Sequence, residues 1–148
     1  MASRLNRWAC TQAVLDLVRE HELVPASVSV TATYPGDERK AESVWVDTIE
    51  GQIEWPVMQA TRRQFDDLFD ITLAVSTLDK ASEDAAMTRT EELVSGVVEA
   101  LQDLSTLNDL DGVLSAEVTS VAFFAAETKT AGFRGIGQVV VSVHSRIT

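Results

Sequence analysis

Residues 67–104, DLFDITLAVSTLDKASEDAAMTRTEELVSGVVEALQDL, decide the fold class, because a strand pattern is followed directly by a helix pattern. The first part alternates apolar residues with polar or small ones, which is typical of a strand with one buried face. Its apolar positions are Phe69, Ile71, Leu73 and Val75. We therefore predict a strand over residues 67–77 that presents these side chains to the core.

The second part, residues 82–104, has apolar residues at every third or fourth position, as on a helix with one buried face. Ser82 is a favoured N-cap residue, and Glu83 and Asp84 stand in the first turn, where the helix dipole favours negative charge. The sequence therefore predicts a helix that begins after Ser82. Its apolar stripe consists of Leu93, Val94, Val97, Val98, Leu101 and Leu104.

Further elements are predicted on both sides of this unit. Residues 4–22 form a helical pattern, residues 27–34 alternate as a strand, and residues 113–124 and 137–147 predict two more strands. The stripe of the first helix runs through Leu5, Trp8, Thr11, Val14, Leu15 and Val18, with Cys10 as a small buried group. In the last strand we expect Val139, Val141 and Val143 to face the core, and Val140, Ser142, His144 and Arg146 to face away.

Residues 43–63, SVWVDTIEGQIEWPVMQATRR, predict two short strands joined around Glu50 and Gly51. Pro56 cannot donate to a strand ladder, so the second arm is expected to be an edge or to bend there. We interpret residues 36–65 as an extended hairpin or long ordered loop that partly projects from the core. Trp45 and Trp55 on it either cover the core or anchor a subunit interface, where tryptophan is enriched.

The order of elements favours an α+β fold over a doubly wound one, because helices are few and strands follow one another along the chain. At 148 residues the chain is most simply a single domain, residues 1–148. We predict a mostly antiparallel sheet with two helices on one face and a projecting β-hairpin.

Three glycines near the C-terminus, Gly132, Gly135 and Gly137, raise the question of a phosphate-binding loop. Such a loop needs backbone N–H groups at the start of a helix, and a dinucleotide fingerprint also needs a preceding strand. Here the glycines lead into the strand QVVVSVH. We therefore predict a flexible turn before the last strand, and residues 128–135 as a loop that orders against a partner.

The polar residues give no compelling catalytic pattern. His21 and His144 are far apart in sequence, and no nearby cysteine completes a metal-binding spacing. Asp66, Asp67 and Asp70 lie together, with Asp67 expected to face opposite to the other two. We interpret them as a solvated start of a strand whose acids pair with Arg62 and Arg63 within or between subunits. A small oligomeric hydrolase that uses Asp66, Asp70 and His144 stays open as an alternative.

Composition excludes other classes. The chain has 23 acidic and 12 basic side chains and a formal net charge of −11, so it is not expected to read nucleic-acid sequence. The single cysteine, Cys10, fits a reducing compartment. No run approaches the roughly 18 apolar residues that span a membrane, so we expect a soluble protein. We expect no cofactor and no metal.

The chain resembles the tail terminator proteins (tail completion or neck proteins) of long-tailed bacteriophages. The segments that carry the resemblance are VLDLVREHE, SVSVTA, the aromatic-bearing hairpin, FDITLAVST, SEDAAMTRTEELVSGVVEALQDL, LDGVLSAEVTSV and GQVVVSVHSRI. They follow one another in the same order and cover nearly the whole chain.

The resemblance implies a structural virion protein in the tail or neck, assembled in the host cytoplasm. Its subunits would form a ring, as a homohexamer, that caps the tail tube and stops tube polymerisation. The partners implied are the chain itself, the major tail tube protein and the head completion or connector protein, with DNA passing through the lumen without sequence-specific binding. Another head–tail connector or a tail tube module stays open. The candidate subunit-interface residues are Trp45, Trp55, Arg62, Arg63 and Asp66.

Overall fold

The computed structural model describes residues 4–35, 42–55, 64–128 and 132–148. Along these residues the elements are α1 (Arg7–Glu20), β1 (Ser29–Thr31), β2 (Glu42–Glu54), β3 (Phe65–Asp79), α2 (Glu83–Ala100), α3 (Ser105–Asn108), β4 (Val113–Thr128) and β5 (Gly132–Ile147). No helix in this described part of the chain is long and apolar enough to cross a membrane.

The described strands form a single five-stranded sheet in the order β1-β2-β3-β5-β4. β1 runs parallel to β2, and every other neighbouring pair is antiparallel. The α+β class and the mostly antiparallel sheet are therefore confirmed. β1 is shorter than the strand predicted for residues 27–34, since only Ser29–Thr31 pair with β2.

One face of the sheet is covered by α1 and α2, and the core lies between them and the sheet. The residues predicted for β3, Phe69, Ile71, Leu73 and Val75, are all buried there. Ser82 caps α2 as expected, because its Oγ accepts a hydrogen bond from the Ala85 N–H at 3.0 Å. The rest of the core comes mainly from α1, α2 and β5: Val14, Leu15, Val18, Leu93, Val94, Val97, Leu101, Val139, Val141 and Val143.

The predicted turn at Glu50 and Gly51 is wrong. β2 is one continuous strand, and Gly51 pairs directly with Phe69 across the β2–β3 ladder. A Cβ at Gly51 would lie 2.7 Å from the Phe69 Cβ, so glycine is required here for close approach of two strands and not for a turn. The predicted tip of a hairpin at this position does not exist, and residues 36–41 and 56–63 of the predicted hairpin lie outside the described residues.

The predicted loop over residues 128–135 is also wrong at Gly135, which lies inside β5, whereas Gly137 lies in β5 as predicted for residues 137–147. A Cβ at Gly137 would lie 2.5 Å from Val94 Cγ2, and one at Gly135 would lie 2.8 Å from the Ala86 carbonyl oxygen. Both glycines therefore let α2 rest closely on the sheet. Gly132 has a positive φ of 101°, so backbone freedom matters at the first of the three.

The predicted apolar stripe of α1 is confirmed for Thr11 and Val14 but fails at its start, because Trp8 is 52% exposed. Arg7 takes the place in the first turn that was expected for Trp8. Its guanidinium lies 5.4 Å from the centre of the Phe69 ring. Leu5, which precedes the helix, is also exposed.

Candidate functional site

The face of the sheet opposite the helices, called the open face below, carries a cluster of polar side chains where β3 begins and β5 ends. Hydrogen bonds and ion pairs join these side chains. The register of β3 and β5 pairs Asp66 with Arg146, Leu68 with His144 and Asp70 with Ser142. Because directly opposed residues point to the same face, the side chains of these polar residues meet on the open face. Asp67 points to the other face, as predicted.

Asp66 is the centre of the first half of the cluster. Its Oδ1 accepts a hydrogen bond from Arg146 Nε at 2.9 Å, and its Oδ2 accepts one from Arg146 Nη2 at 3.2 Å. His144 Nε2 lies 2.9 Å from the same Oδ2. The hydrogen bonds from Arg146, and secondarily from His144, lower the pKa of Asp66 to about 2, although burial opposes the shift. Asp66 is therefore a carboxylate at neutral pH and is unsuited to act as a general acid there.

Ser142 is the centre of the second half. Its Oγ donates a hydrogen bond to Asp70 Oδ1 at 2.7 Å. Thr119 Oγ1 lies 2.8 Å from Ser142 Oγ, and since the serine proton is committed to Asp70, Thr119 donates to Ser142. A serine nucleophile needs its hydroxyl to donate to a general base such as histidine. Here the hydroxyl donates to Asp70 instead of His144, so no serine–histidine pair is formed.

The three predicted carboxylates therefore have three different environments. Asp67 is fully buried on the helix face, where its Oδ1 and Oδ2 accept hydrogen bonds from Arg7 Nη2 at 2.7 Å and Arg7 Nε at 2.9 Å. Asp66 is also buried, whereas Asp70 is exposed. The interpretation of a solvated start of a strand is thus wrong for Asp66 and Asp67. Ion pairing with arginine is correct in kind, but the described partners are Arg146 and Arg7, while Arg62 and Arg63 lie outside the described residues.

A shallow groove of about 430 Å³ crosses the open face beside this cluster. Asp70 and Glu117 bring exposed carboxylates to it, and Gln52, Ser115 and His144 add neutral or titratable polar groups. Such a surface can accept hydrogen bonds from basic or hydroxyl-bearing groups. Among the described residues, no cluster of three or more histidine, cysteine, aspartate or glutamate side chains could hold a metal ion.

The two tryptophans of the predicted interface have different surroundings. Trp45 is only 8% exposed, and Tyr34 packs edge-on against it with ring centres 5.3 Å apart. Trp55 is 53% exposed and contacts Phe65, with ring centres 4.9 Å apart. Trp45 therefore covers the sheet of its own chain, whereas Trp55 presents a large apolar surface to solvent. Their roles in a subunit interface stay predictions.

Sequence reasoning missed a second exposed apolar surface, on β4. Val121, Phe123 and Phe124 are 41%, 42% and 52% exposed, and β4 is the outermost strand beside β5. The signal in the sequence is the uncharged stretch VTSVAFFAA, residues 118–126. Period-two alternation identifies a strand but not its position in the sheet, so exposure at an edge could not be deduced from this stretch.

Fold and site together define an α+β protein whose sheet carries helices on one face and mutually bonded polar groups on the other. No protein-family model matches the chain, and no curated protein matches it. Among solved structures, the chain is similar to one described as the virion of a native gene transfer agent (GTA) particle. The TM-score is 0.59 at 16% sequence identity, and the match covers 90% of this chain and 92% of that chain. The fold of this protein thus resembles that of a component of a virion particle.

Proposed function

We propose that this chain is a structural virion protein, and specifically a tail terminator whose ring caps the tail tube and provides the surface that joins the head. The observation that carries the proposal is the likeness of fold to a chain of a gene transfer agent virion over 90% of this chain. The similarity covers 90% of this chain and 92% of that chain, so it concerns most of the fold and not one motif. The order of segments resembling tail terminators supports the finer assignment.

The polar cluster on the open face supports a structural role over catalysis. Asp66 is held as a carboxylate by Arg146, and the Ser142 hydroxyl is committed to Asp70. Neither half contains the nucleophile–base contact that a hydrolase requires. We assign the cluster to fixing β3 against β5 and β4, and assign no catalytic role to Asp66, Asp70 or His144.

The net charge of −11 fits a ring whose lumen DNA passes through, since an acidic wall does not bind phosphates. The partners proposed are other copies of this chain in a hexamer, the tail tube protein below it and the head completion protein above it. A ring needs heterologous contacts, in which one surface of a subunit meets a different surface of the next. Trp55 is the exposed aromatic that we propose for such a contact.

Inactivation of the gene tests the finer assignment. In a virus that lacks a tail terminator, tube polymerisation has no stop, so we expect tails of irregular and excessive length that do not join heads. The matched control supplies the intact gene in trans and should restore uniform tails. Tails of normal length that fail only in head joining would instead identify a connector, and the absence of any tube would identify a tube subunit.

A complementary experiment uses the purified chain. Negative-stain microscopy of the chain mixed with tubes of the virus's own tail protein should show rings at one tube end and an arrest of elongation. Tubes that elongate at the same rate with and without the chain would contradict the proposal. A hydrolytic activity that disappears in both Asp66→Asn and His144→Gln would favour the enzyme alternative.

A further inference from the structure

The sheet has two outer edges, and they are protected from pairing to very different degrees. Unpaired strand edges are templates for another strand, and proteins usually block them with charges, bulges, prolines or short strands. On one side, β1 covers β2 only at Ser43–Trp45. The rest of that side of β2 carries a bulge between Val46 and Thr48, followed by exposed Glu50 and Glu54.

The other edge is formed by β4, and its two halves differ. The first half contains register shifts between Val113 and Ser115 and between Val118 and Ser120, together with exposed Glu117. The second half, Ser120–Thr128, pairs residue for residue with β5 and has no register shift. In the part of the chain that the structure describes, no strand pairs with its outer side.

Within this second half, residues 121–124 are apolar on both faces of the sheet. Phe123 lies opposite Gly137, on which Val94 of α2 packs, so Phe123 belongs to the helix face. Phe124 lies opposite Ile136 on the open face. Residues 118–126 carry no charge, in a chain whose net charge is −11. Along the described edges of the sheet, Ser120–Ala126 thus combines an absence of charges, prolines and register shifts with exposed apolar side chains on both faces, at Val121, Phe123 and Phe124. This combination is typical of a contact surface.

We propose that Ser120–Ala126 of β4 pairs in antiparallel orientation with the same segment of a second copy of this chain. Three observations favour a second copy. Ser120–Ala126 carries no charge, so two strongly acidic chains can meet there without like charges directly opposed. The same segment is also the unblocked edge in every other copy of the chain, so the edge of a second copy is available to pair with it. Pairing centred on Phe123 also places Phe124 of each copy opposite the small Ala122 of the other, which suits packing on the open face.

The contact has two-fold symmetry, with the axis perpendicular to the sheet. The helices of both copies then lie on the same side, and the two sheets form one continuous antiparallel sheet. This is distinct from the head-to-tail contacts that close a ring. We infer that the free chain is a dimer before it meets the tail tube, and this inference does not depend on the proposed role as a terminator.

Light scattering over a concentration series tests the pairing. Wild-type protein should approach twice the 16.1 kDa of one chain, and Phe124→Lys should weaken self-association by about tenfold or more, because it places a charge in the paired segment. Leu114→Lys is the matched control, since Leu114 is 49% exposed on the bulged half of the same strand. It should leave self-association unchanged. Circular dichroism and thermal unfolding check that both variants fold.

Cysteine crosslinking tests the symmetry. Directly opposed residues of antiparallel strands have Cα atoms about 4.5–5.5 Å apart, which is within disulfide range. Phe123→Cys should therefore give a covalent dimer on mild oxidation, whereas Thr48→Cys on β2 should not. The native Cys10 is fully buried and does not interfere.

Two results would overturn the pairing. The first is a wild-type chain that stays monomeric at all concentrations while Phe123→Cys gives no dimer. The second is a crosslink that forms only when Phe123→Cys and Thr48→Cys proteins are mixed, which would indicate head-to-tail contact. The tube-length experiment is independent of both, so failure of the pairing and failure of the proposed function are distinguishable.

Discussion

Arg7 and Asp67 form a bidentate ion pair that links the first helix, α1, to β3, the central strand of the sheet. Arg7 Nε and Nη2 donate to Asp67 Oδ2 and Oδ1 at 2.9 and 2.7 Å, and the Asp67 side chain is fully buried. The hydrogen bonds to Asp67 raise the pKa of the Arg7 guanidinium, against the opposing effect of burial. In the first turn of α1, Arg7 therefore faces the sheet, where the apolar side chain of Trp8 was expected.

Arg7→Ala is therefore expected to destabilise the protein strongly, because it leaves the buried Asp67 carboxyl without its hydrogen-bond donor. We expect a loss of about 2–4 kcal/mol in the free energy of unfolding, below the range for fully buried pairs because the Arg7 side chain is 25% exposed. Urea unfolding at neutral pH measures it. Arg7→Lys keeps the charge but not the two-bond geometry and should recover part of the loss.

The control is Asp16→Ala, which removes the exposed pair between Asp16 and Arg19. Its effect should stay within about 0.5 kcal/mol, as for most exposed ion pairs. Equal losses in Arg7→Ala and Asp16→Ala would show that the buried pair does not anchor the helix.

Asp66 makes the stability depend on pH in acid. Its pKa is about 2 in the folded chain, against 3.8 for the free side chain. A lowered folded-state pKa contributes stability that is fully present above the unfolded value and is lost as pH falls through the folded value. The contribution of Asp66 should therefore disappear between about pH 4 and pH 2.

We expect Asp66→Asn to be less stable than wild type at pH 6, and the difference to shrink as pH falls through this window. Urea midpoints at pH 6, 4, 3 and 2.5 measure the profile. Arg146→Gln removes the main cause of the lowered pKa and should also flatten the profile. A constant difference between wild type and Asp66→Asn across the whole range would contradict the assignment.

The sequence predicts the central elements well because their signals are local. The alternation in residues 67–77 and the Ser82 cap before an apolar stripe depend only on neighbours along the chain, and both are found in the structure. The structural role of a glycine, in contrast, does not follow from its neighbours along the chain. Gly51 and Gly135 predict turns by themselves, but their role is set by what packs against them, Phe69 in one case and α2 in the other.

The candidate site could be predicted only in part for a similar reason. Alternation places Asp66 and Asp70 on one face and Asp67 on the other, as observed. The partners of these acids follow from the register of β3 with β5 and from the docking of α1, which bring together residues 80 and 60 positions apart. Likewise, the uncharged stretch of β4 becomes informative only when the strand order places it at an edge.

Close packing of α2 on β5 gives a third prediction. A Cβ at Gly135 would overlap Thr90 Oγ1, which is already bonded to Thr77 Oγ1 at 2.6 Å and to the Ala86 carbonyl at 2.8 Å. Gly135→Ala should therefore force α2 away from the sheet and cost about 1–3 kcal/mol, as in other overpacked cores. Thermal unfolding measures the change.

Gln138→Ala serves as its control, because Gln138 lies on the same strand but on the open face and is only partly buried. Its effect should be below about 1 kcal/mol. A stable Gly135→Ala variant with an unchanged unfolding midpoint would show that the helix can move without penalty.

Trp45 lies in β2, and Trp55 is the first residue after it. Substitutions of these two tryptophans should separate effects on folding from effects on assembly. Trp45 is buried against Tyr34, so Trp45→Ala should cost about 3–5 kcal/mol of folding free energy, as for other large-to-small core substitutions. Trp55 is 53% exposed, so Trp55→Ala should cost less than about 1 kcal/mol in folding.

If Trp55 anchors the proposed ring, the same variant should form few rings on tail tubes in negative-stain images, because aromatic anchors dominate interface energies. Normal rings from a folded Trp55→Ala chain would remove Trp55 from the interface, and a folding loss as large as that of Trp45→Ala would assign it to the core.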